Sequence, residues 1–366
     1  MSGGQGVGWE SRTLLEAVTE LSHAFGSAEH VKGGGGNTSC KQADTLWVKP
    51  SGTTLAALTP DRFVALDRAR LARLYRETPP DGPAAAREAW VKERMDAAVR
   101  PETPGRASVE APLHDTLAAR FVVHTHPAAC NGMTCAVGGE AAAARLFPEA
   151  LWIPYVDPGY TLCREVRSAV RAYAAEHGAE PALIFLQNHG VVVSGDTAEA
   201  VYAVYGSLTE RLAREYAEAH LDGGTQAGPE PAEREVAGWR QTLSETFGAE
   251  AAEMAVSGML DVGTGPISPD HVVYAKSYPF EGRVTPENLR AFRSVYGYAP
   301  RVVVTGTAVL GVGPRESVAR VALDLARDGA EVKRLARAFG GLRYLCDAAR
   351  QFIENWEVES YRARQM

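Results

Sequence analysis

The sequence predicts an α/β protein: a layered α/β/α domain followed by a smaller α/β domain that reads either as a degenerate echo of it or as a chance likeness between two strand–turn–strand–helix units. Three observations carry this. Short apolar runs alternate with amphipathic stretches between residues 45 and 219, which is the pattern of sheets covered by helices. A segment rich in glycine and proline, LDGGTQAGPEPAE (221–233), interrupts that pattern. Beyond it, PRVVVTGTAVLGVGPRESVARVALDL (300–325) aligns without gaps on ALIFLQNHGVVVSGDTAEAVYAVYGS (182–207). Gly313 then falls on Gly195, and Thr307 falls on His189, so the echo has lost its one metal-capable side chain. The expected boundaries are a first domain over 1–220, a linker over 221–233 and a second domain over 234–366.

Each element follows from local pattern. Leu14, Leu15, Val18 and Leu21 share one helical stripe, which predicts a helix over 11–26. VKGGGGNTSCK (31–41) holds four consecutive glycines and reads as a turn. Residues 45–67 read as strand, glycine turn, short helix and strand. Residues 68–107 are charged and rich in Ala and Arg, broken by Pro101 and Pro104. A helix over 108–119 leads into the strand FVVHTH (121–126), a further helix, and an extended stretch with a turn at 153–162. Helices over 164–177 and 197–219 flank a strand–turn–strand at 182–195. GPISPDH (265–271) reads as a turn.

Composition narrows the function. Hydrophobic residues make up 45% and charged residues 23%, as in a soluble globular protein that builds its own core. A net charge of -7, from 38 basic and 45 acidic residues, disfavours a general nucleic-acid binder, which needs a basic face. A small anionic substrate remains compatible, because a local site can be donor-rich in an acidic protein. No apolar run is long enough for a membrane span, and the N-terminus has no basic-then-apolar signal pattern. Five scattered cysteines (Cys40, Cys130, Cys135, Cys163 and Cys346) predict reduced thiols and a cytoplasmic location.

One cluster of motifs bears chemistry. On a strand, His124 and His126 point to the same face and Thr125 to the other, so HTH can offer two imidazoles to a divalent metal. His189, in QNHG, ends an apolar strand at a tight turn, where functional side chains are often presented. Glu110 lies in the first turn of the helix before the HTH strand, with His114 one helical turn later on the same face. Three histidines and a carboxylate leave an open coordination position. GGGGNTS (33–39) and KPSGTT (49–54) are Gly/Ser/Thr-rich turns able to cradle an anion, and neither matches a nucleotide-binding loop.

Taken in order, GGGNTS, KPSGTTLAALTPDRFVALD, SVE, HTH and QNHG resemble the class II aldolase/adducin family over about residues 12–220. GPISPDHVVYAKSYP (265–279), residues 300–313 and FIENWEVESYR (352–362) look like the segment after the aldolase part of bifunctional rhamnulose-1-phosphate aldolase/alcohol dehydrogenases. The chain carries no GxGxxG, so a dehydrogenase is unsupported. The resemblance implies zinc, or another divalent metal, on His124, His126 and His189. It implies Glu110 as catalytic base, and Asn37, Ser51, Gly52 and Ser108 around the substrate phosphate. The implied reaction cleaves a rhamnulose-1-phosphate-like ketose 1-phosphate to dihydroxyacetone phosphate and an aldehyde through a zinc-stabilised enediolate. Sugar-phosphate epimerase or dehydratase chemistry, or a non-catalytic adducin-like scaffold, are the alternatives. The resemblance also implies a small-molecule sugar phosphate as partner and a homo-oligomer, with a tetramer as one form. There are two departures from the family pattern. Val109 stands where a second serine is common, and residues 140–150 hold no tyrosine, leaving Tyr155 and Tyr160 as the nearest. A further expectation puts Trp356 and Tyr361 near a neighbouring subunit's site.

Overall fold

The computed structural model describes residues 9–81, 84–103 and 105–356; Tyr361 and Pro104 lie outside them. The chain forms two compact units, each with its own sheet: residues 1–126, 147–186 and 190–209, and residues 127–146, 187–189 and 210–366.

The first sheet has seven strands: β1 Asn37–Gln42, β2 Thr45–Val48, β3 Val64–Asp67, β4 Phe121–Thr125, β5 Leu151–Ile153, β6 Leu183–Leu186 and β7 Gly190–Gly195, in the order β3-β2-β1-β4-β7-β6-β5. Only β5 and β6 pair in parallel. β4 and β6 are buried at every position, which explains their continuous apolar runs: helices cover both faces. Val122, Ile184, Leu186 and Val192 pack with the helices Ala111–Thr116 and Tyr160–His177. On the other face, Thr125 hydrogen-bonds Tyr205 of the helix Ala198–Glu218, and Thr38 of β1 bonds Ser22 of the helix Trp9–Ala24. His124 shares the face of Val122, the face from which Ala111–Thr116 approaches.

The second unit holds β8 Glu253–Gly258, β9 Phe280–Glu281, β10 Val302–Val304 and β11 Ala308–Gly313, in the order β8-β11-β10-β9. The helices Glu233–Phe247 and Pro286–Tyr296 cover one face, and Glu316–Leu335 the other. This is the layout of β4-β7-β6-β5, with the same strand directions. Gly195 pairs with Phe121 as Gly313 pairs with Glu253, which places Val256 at the position of His124. The echo therefore extends beyond the similarity visible in sequence.

Its alignment needs one correction. In the first hairpin Leu186 pairs with Gly190 across three residues, whereas in the second the Thr305 amide donates to the Ala308 carbonyl across two, Gly306 and Thr307. Gly306 takes a φ of 92°, as tight two-residue turns require, and Asn188 takes 53° in the longer turn. The ungapped pairing of Thr307 with His189 thus hides a one-residue deletion in the turn. The segment read as a turn at 265–271 also differs: a helical turn begins there and runs through a single π-turn, His271–Ala275.

Candidate metal centre

Strand alternation brings His124 and His126 to one face. The turn between β6 and β7 is tied at both ends into the first sheet, and it carries His189 to the same place. The ligand nitrogens of the three histidines lie within 4.8 Å of one another, and all three side chains are buried. His124 Nδ1 lies 3.0 Å from the Val191 carbonyl. A carbonyl only accepts, so Nδ1 carries the proton and Nε2 presents its lone pair. That Nε2 is 3.0 Å from His126 Nε2 and 3.6 Å from Glu110 Oε1. Three imidazoles and a carboxylate oxygen are the donor set of a borderline divalent ion such as zinc.

Glu110 is buried at the entry to the helix Ala111–Thr116, and its backbone amide donates to Ser108 Oγ at 3.3 Å. Asn37 faces His124 across the β1–β4 ladder, and its Nδ2 donates to Glu110 Oε2. Asn37 Oδ1 is buried with no hydrogen-bond partner among the described residues. Gly190 shapes the same spot. A Cβ there would meet the Thr125 carbonyl at 2.4 Å and His126 Cδ2 at 2.6 Å, so the glycine after His189 makes room for the His126 ring.

The proposed anion turns lie beside this group. Gly52 takes a φ of 80°, the Ser51 amide donates to the Arg106 carbonyl at 2.8 Å, and Pro50 bridges to Ala107 next to Ser108. Sequence reasoning missed Lys49, which is buried and donates to the carbonyls of Gly34 at 3.0 Å and Thr53 at 2.8 Å, joining the two glycine-rich turns. The signal was present as the lysine of KPSG, but its reach to a turn 15 residues away is a property of the fold. Lys41 was missed as well. It donates to the carbonyls of His114 at 2.6 Å and Leu117, and burial lowers its pKa to about 8.

His114 is outside the histidine cluster. It lies behind Glu110 with its Nδ1 2.8 Å from Ser39 Oγ, and burial, followed by the nearby His124, lowers its pKa to about 3. Tyr160 belongs to a core cluster and donates to the Leu74 carbonyl, and Tyr155 donates to Asp157 at 3.3 Å. All five cysteines are free thiols. Among the described residues no helix is long and apolar enough to cross a membrane.

The chain is 26% identical, over an alignment of 423 positions, to the uncharacterized oxidoreductase YuxG of Bacillus subtilis (strain 168), covering 97% of this chain and 60% of YuxG. It therefore spans about 60% of the length of that curated relative. Among solved structures it is similar to the N-terminal class II aldolase domain of a conserved protein from Thermoplasma acidophilum. The identity is 24%, with 58% of this chain and 96% of that one covered at a TM-score of 0.47. It is also similar to L-fuculose-1-phosphate aldolase from Thermus thermophilus, at 18% identity, covering 58% of this chain and 100% of that one at a TM-score of 0.39. The family model described as Class II Aldolase and Adducin N-terminal domain matches residues 16–216, more than half of the sequence, and spans every residue of the site. The chain belongs to the class II aldolase and adducin N-terminal domain family.

Proposed function

We propose that the protein is a zinc-dependent aldehyde-lyase that cleaves a ketose 1-phosphate, rhamnulose 1-phosphate or a close relative, to dihydroxyacetone phosphate and an aldehyde. The observation that carries this reading is the convergence of His124, His126 and His189 with a carboxylate, Glu110, 3.6 Å from a ligand nitrogen. The three histidines would hold the divalent ion, which when bound polarises the ketose carbonyl and stabilises the negative charge left by C–C cleavage. Glu110 moves the proton: in the cleavage direction it takes the proton from the hydroxyl whose carbon becomes the aldehyde and delivers it to the carbon released from the broken bond, and in synthesis it runs the same transfer in reverse. Asn37 orients the Glu110 carboxylate through its Nδ2, and its Oδ1 accepts from a substrate hydroxyl. Ser51, Gly52 and Ser108 bind the phosphate, with Lys49 holding the two turns in register.

This chemistry belongs to residues 1–220, with a structural or assembly role for 234–366 beyond the linker 221–233. We place the protein in the cytoplasm as a homo-oligomer, a tetramer by family habit, with a sugar phosphate rather than nucleic acid or membrane as its partner. The test is metal analysis of the purified protein together with an assay of Glu110→Gln on L-rhamnulose 1-phosphate. Stoichiometric zinc in the native protein is expected, with release of dihydroxyacetone phosphate that the variant lacks. Turnover retained by Glu110→Gln would remove Glu110 from the chemistry. Epimerised or dehydrated product without triose phosphate would move the reading to the other reactions of this fold.

A further inference from the structure

The sheet of the second unit stops at β8, where the first sheet takes on a further strand. At the position of β8, the strand β4 is joined antiparallel by β1. The backbone ladder shows what β8 leaves open. The Thr305 amide donates to the Ala308 carbonyl and the Val312 amide to the Arg301 carbonyl, so Ala308, Leu310 and Val312 turn their backbone groups to β10. Val309, Gly311 and Gly313 therefore serve β8, where they meet Ser257, Ala255 and Glu253. The amides and carbonyls of Met254 and Val256 point outward, and among the described residues no backbone hydrogen bond reaches them. The open edge ends at the linker, whose Gly228 amide donates to the Met259 carbonyl at 2.9 Å. Free edges invite another strand unless proline, lysine or a bulge blunts them. β8 has none of these, and its one charge, Glu253, stands at its first residue.

The helix Glu316–Leu335 beside this edge carries a charge pattern that complements its own reverse. It flanks an open groove of about 340 Å³ along Met254, Ala255 and Val256, and towards that groove Glu316, Arg320, Asp324 and Arg327 alternate in sign. A second such helix laid antiparallel sets Glu316 against Arg327 and Arg320 against Asp324. The four side chains stay open to a new neighbour: Glu316 and Arg320 are each 69% exposed, and Asp324 and Arg327 each 49%. The centre of the pattern lies between Arg320 and Asp324. That turn of the helix packs on Gly311, where a Cβ would meet the Ala319 carbonyl and Leu323, and Gly311 is the register partner of Ala255. One two-fold axis through Ala255, perpendicular to the sheet, therefore serves both features. It sets the outward groups of Met254 against those of Val256 in a second β8, with only the two Ala255 methyls meeting at the axis.

We propose that β8 is the contact between two copies of this chain, joining their four-stranded sheets antiparallel into one. Met254 and Val256 exchange main-chain hydrogen bonds with Val256 and Met254 of the second copy, and the two Glu316–Leu335 helices pair through their alternating charges. This gives the assembly role of 234–366 a surface, and it does not depend on the lyase chemistry.

Sedimentation velocity on the full chain tests it without reference to turnover or metal. The native chain should be assembled at micromolar concentration. Val256→Pro removes an outward amide and spares the ladder to β11, and should halve the number of chains in the particle. Arg320→Glu faces Asp324 of the second copy with a like charge, and Asp324→Arg does the same to Arg320, so each should weaken association by about tenfold or more. An equimolar mixture of these two variants restores opposite charges at both positions and should recover the native mass, which misfolding of either would prevent. The proposal is overturned if the native chain is monomeric, if Val256→Pro leaves the mass unchanged, or if the mixture fails to assemble.

Discussion

The two sheets differ in one way that separates frame from chemistry. The strands β4-β7-β6-β5 and β8-β11-β10-β9 share order and direction, yet only the first bears a histidine cluster among the described residues. Val256 stands at the register position of His124, and Gly258, which pairs with Ala308, stands at that of His126. The turn that carries His189 is one residue shorter in the second sheet. The first sheet also continues beyond β4 into β1, β2 and β3, which bring Asn37 and the glycine-rich turns, whereas β8 ends its sheet. Hydrophobic pairing specifies the frame and tolerates loss of all three imidazoles. The site needs particular residues at three register positions and half a sheet besides.

The strongest way to break this comparison is to treat both sheets alike. His124→Ala should lose the metal and about a thousandfold in turnover, equivalent to roughly 4 kcal/mol of charge stabilisation. Val256→Ala, at the matching position, should leave turnover within about twofold, since the cost of a surface-near truncation falls on stability. Metal analysis and steady-state rates on both variants decide it; equal losses would mean that the second sheet takes part in the chemistry.

Acid should affect the first sheet through His114. Its folded pKa is depressed to about 3, by burial first, against an unfolded value of 6.5. Between these values the unfolded chain holds a proton that the folded chain refuses. The stability contribution is therefore complete above pH 6.5 and is lost as pH falls toward 3, by an amount on the order of a few kcal/mol. His114→Asn should flatten the fall in melting temperature between about pH 7 and pH 4. An unchanged pH profile in the variant would show that another group controls acid unfolding.

Asn37→Ala leaves the ligands in place and removes the amide that orients Glu110. Loss of such an outer partner typically costs about 10- to 100-fold, here expected in turnover with metal content preserved. A rise in KM alone would assign Asn37 to phosphate binding rather than to Glu110.

Much of this was legible in the chain. Strand alternation alone puts His124 and His126 on one face, and an apolar strand ending in NHG announces a presented histidine. What stayed hidden depends on long-range pairing. The edge-to-edge order of seven strands, the reach of Lys49 to Gly34 and the burial of His114 against Ser39 are set by contacts far apart in sequence. The second sheet was half visible for the same reason. Similarity survives in its last hairpin and helix, where Gly313 must admit Val318 and Ala319 as Gly195 admits Ala200 and Val201. In β8 and β9 only the pairing is kept, and pairing leaves no signature in a single sequence.

The smallest expected effect probes that frame directly. Gly190 is bare because a Cβ would strike the Thr125 carbonyl and the His126 ring, while at its register position in the second sheet Ala308 faces Gly258. The small residue has changed strands: where β4 continues into a histidine, the partner is glycine, and where β8 ends in glycine, the partner carries a methyl. Gly190→Ala should therefore destabilise by about 1–3 kcal/mol through overpacking and displace His126 from the metal. Ala308→Gly removes one methyl and adds backbone freedom, and should cost roughly 1 kcal/mol with no effect on metal content. Thermal melts and zinc affinity of the two variants read this asymmetry. A Gly190→Ala protein with native stability and native zinc would mean that the first hairpin does not hold His126 in place, and the frame would then have no part in building the site.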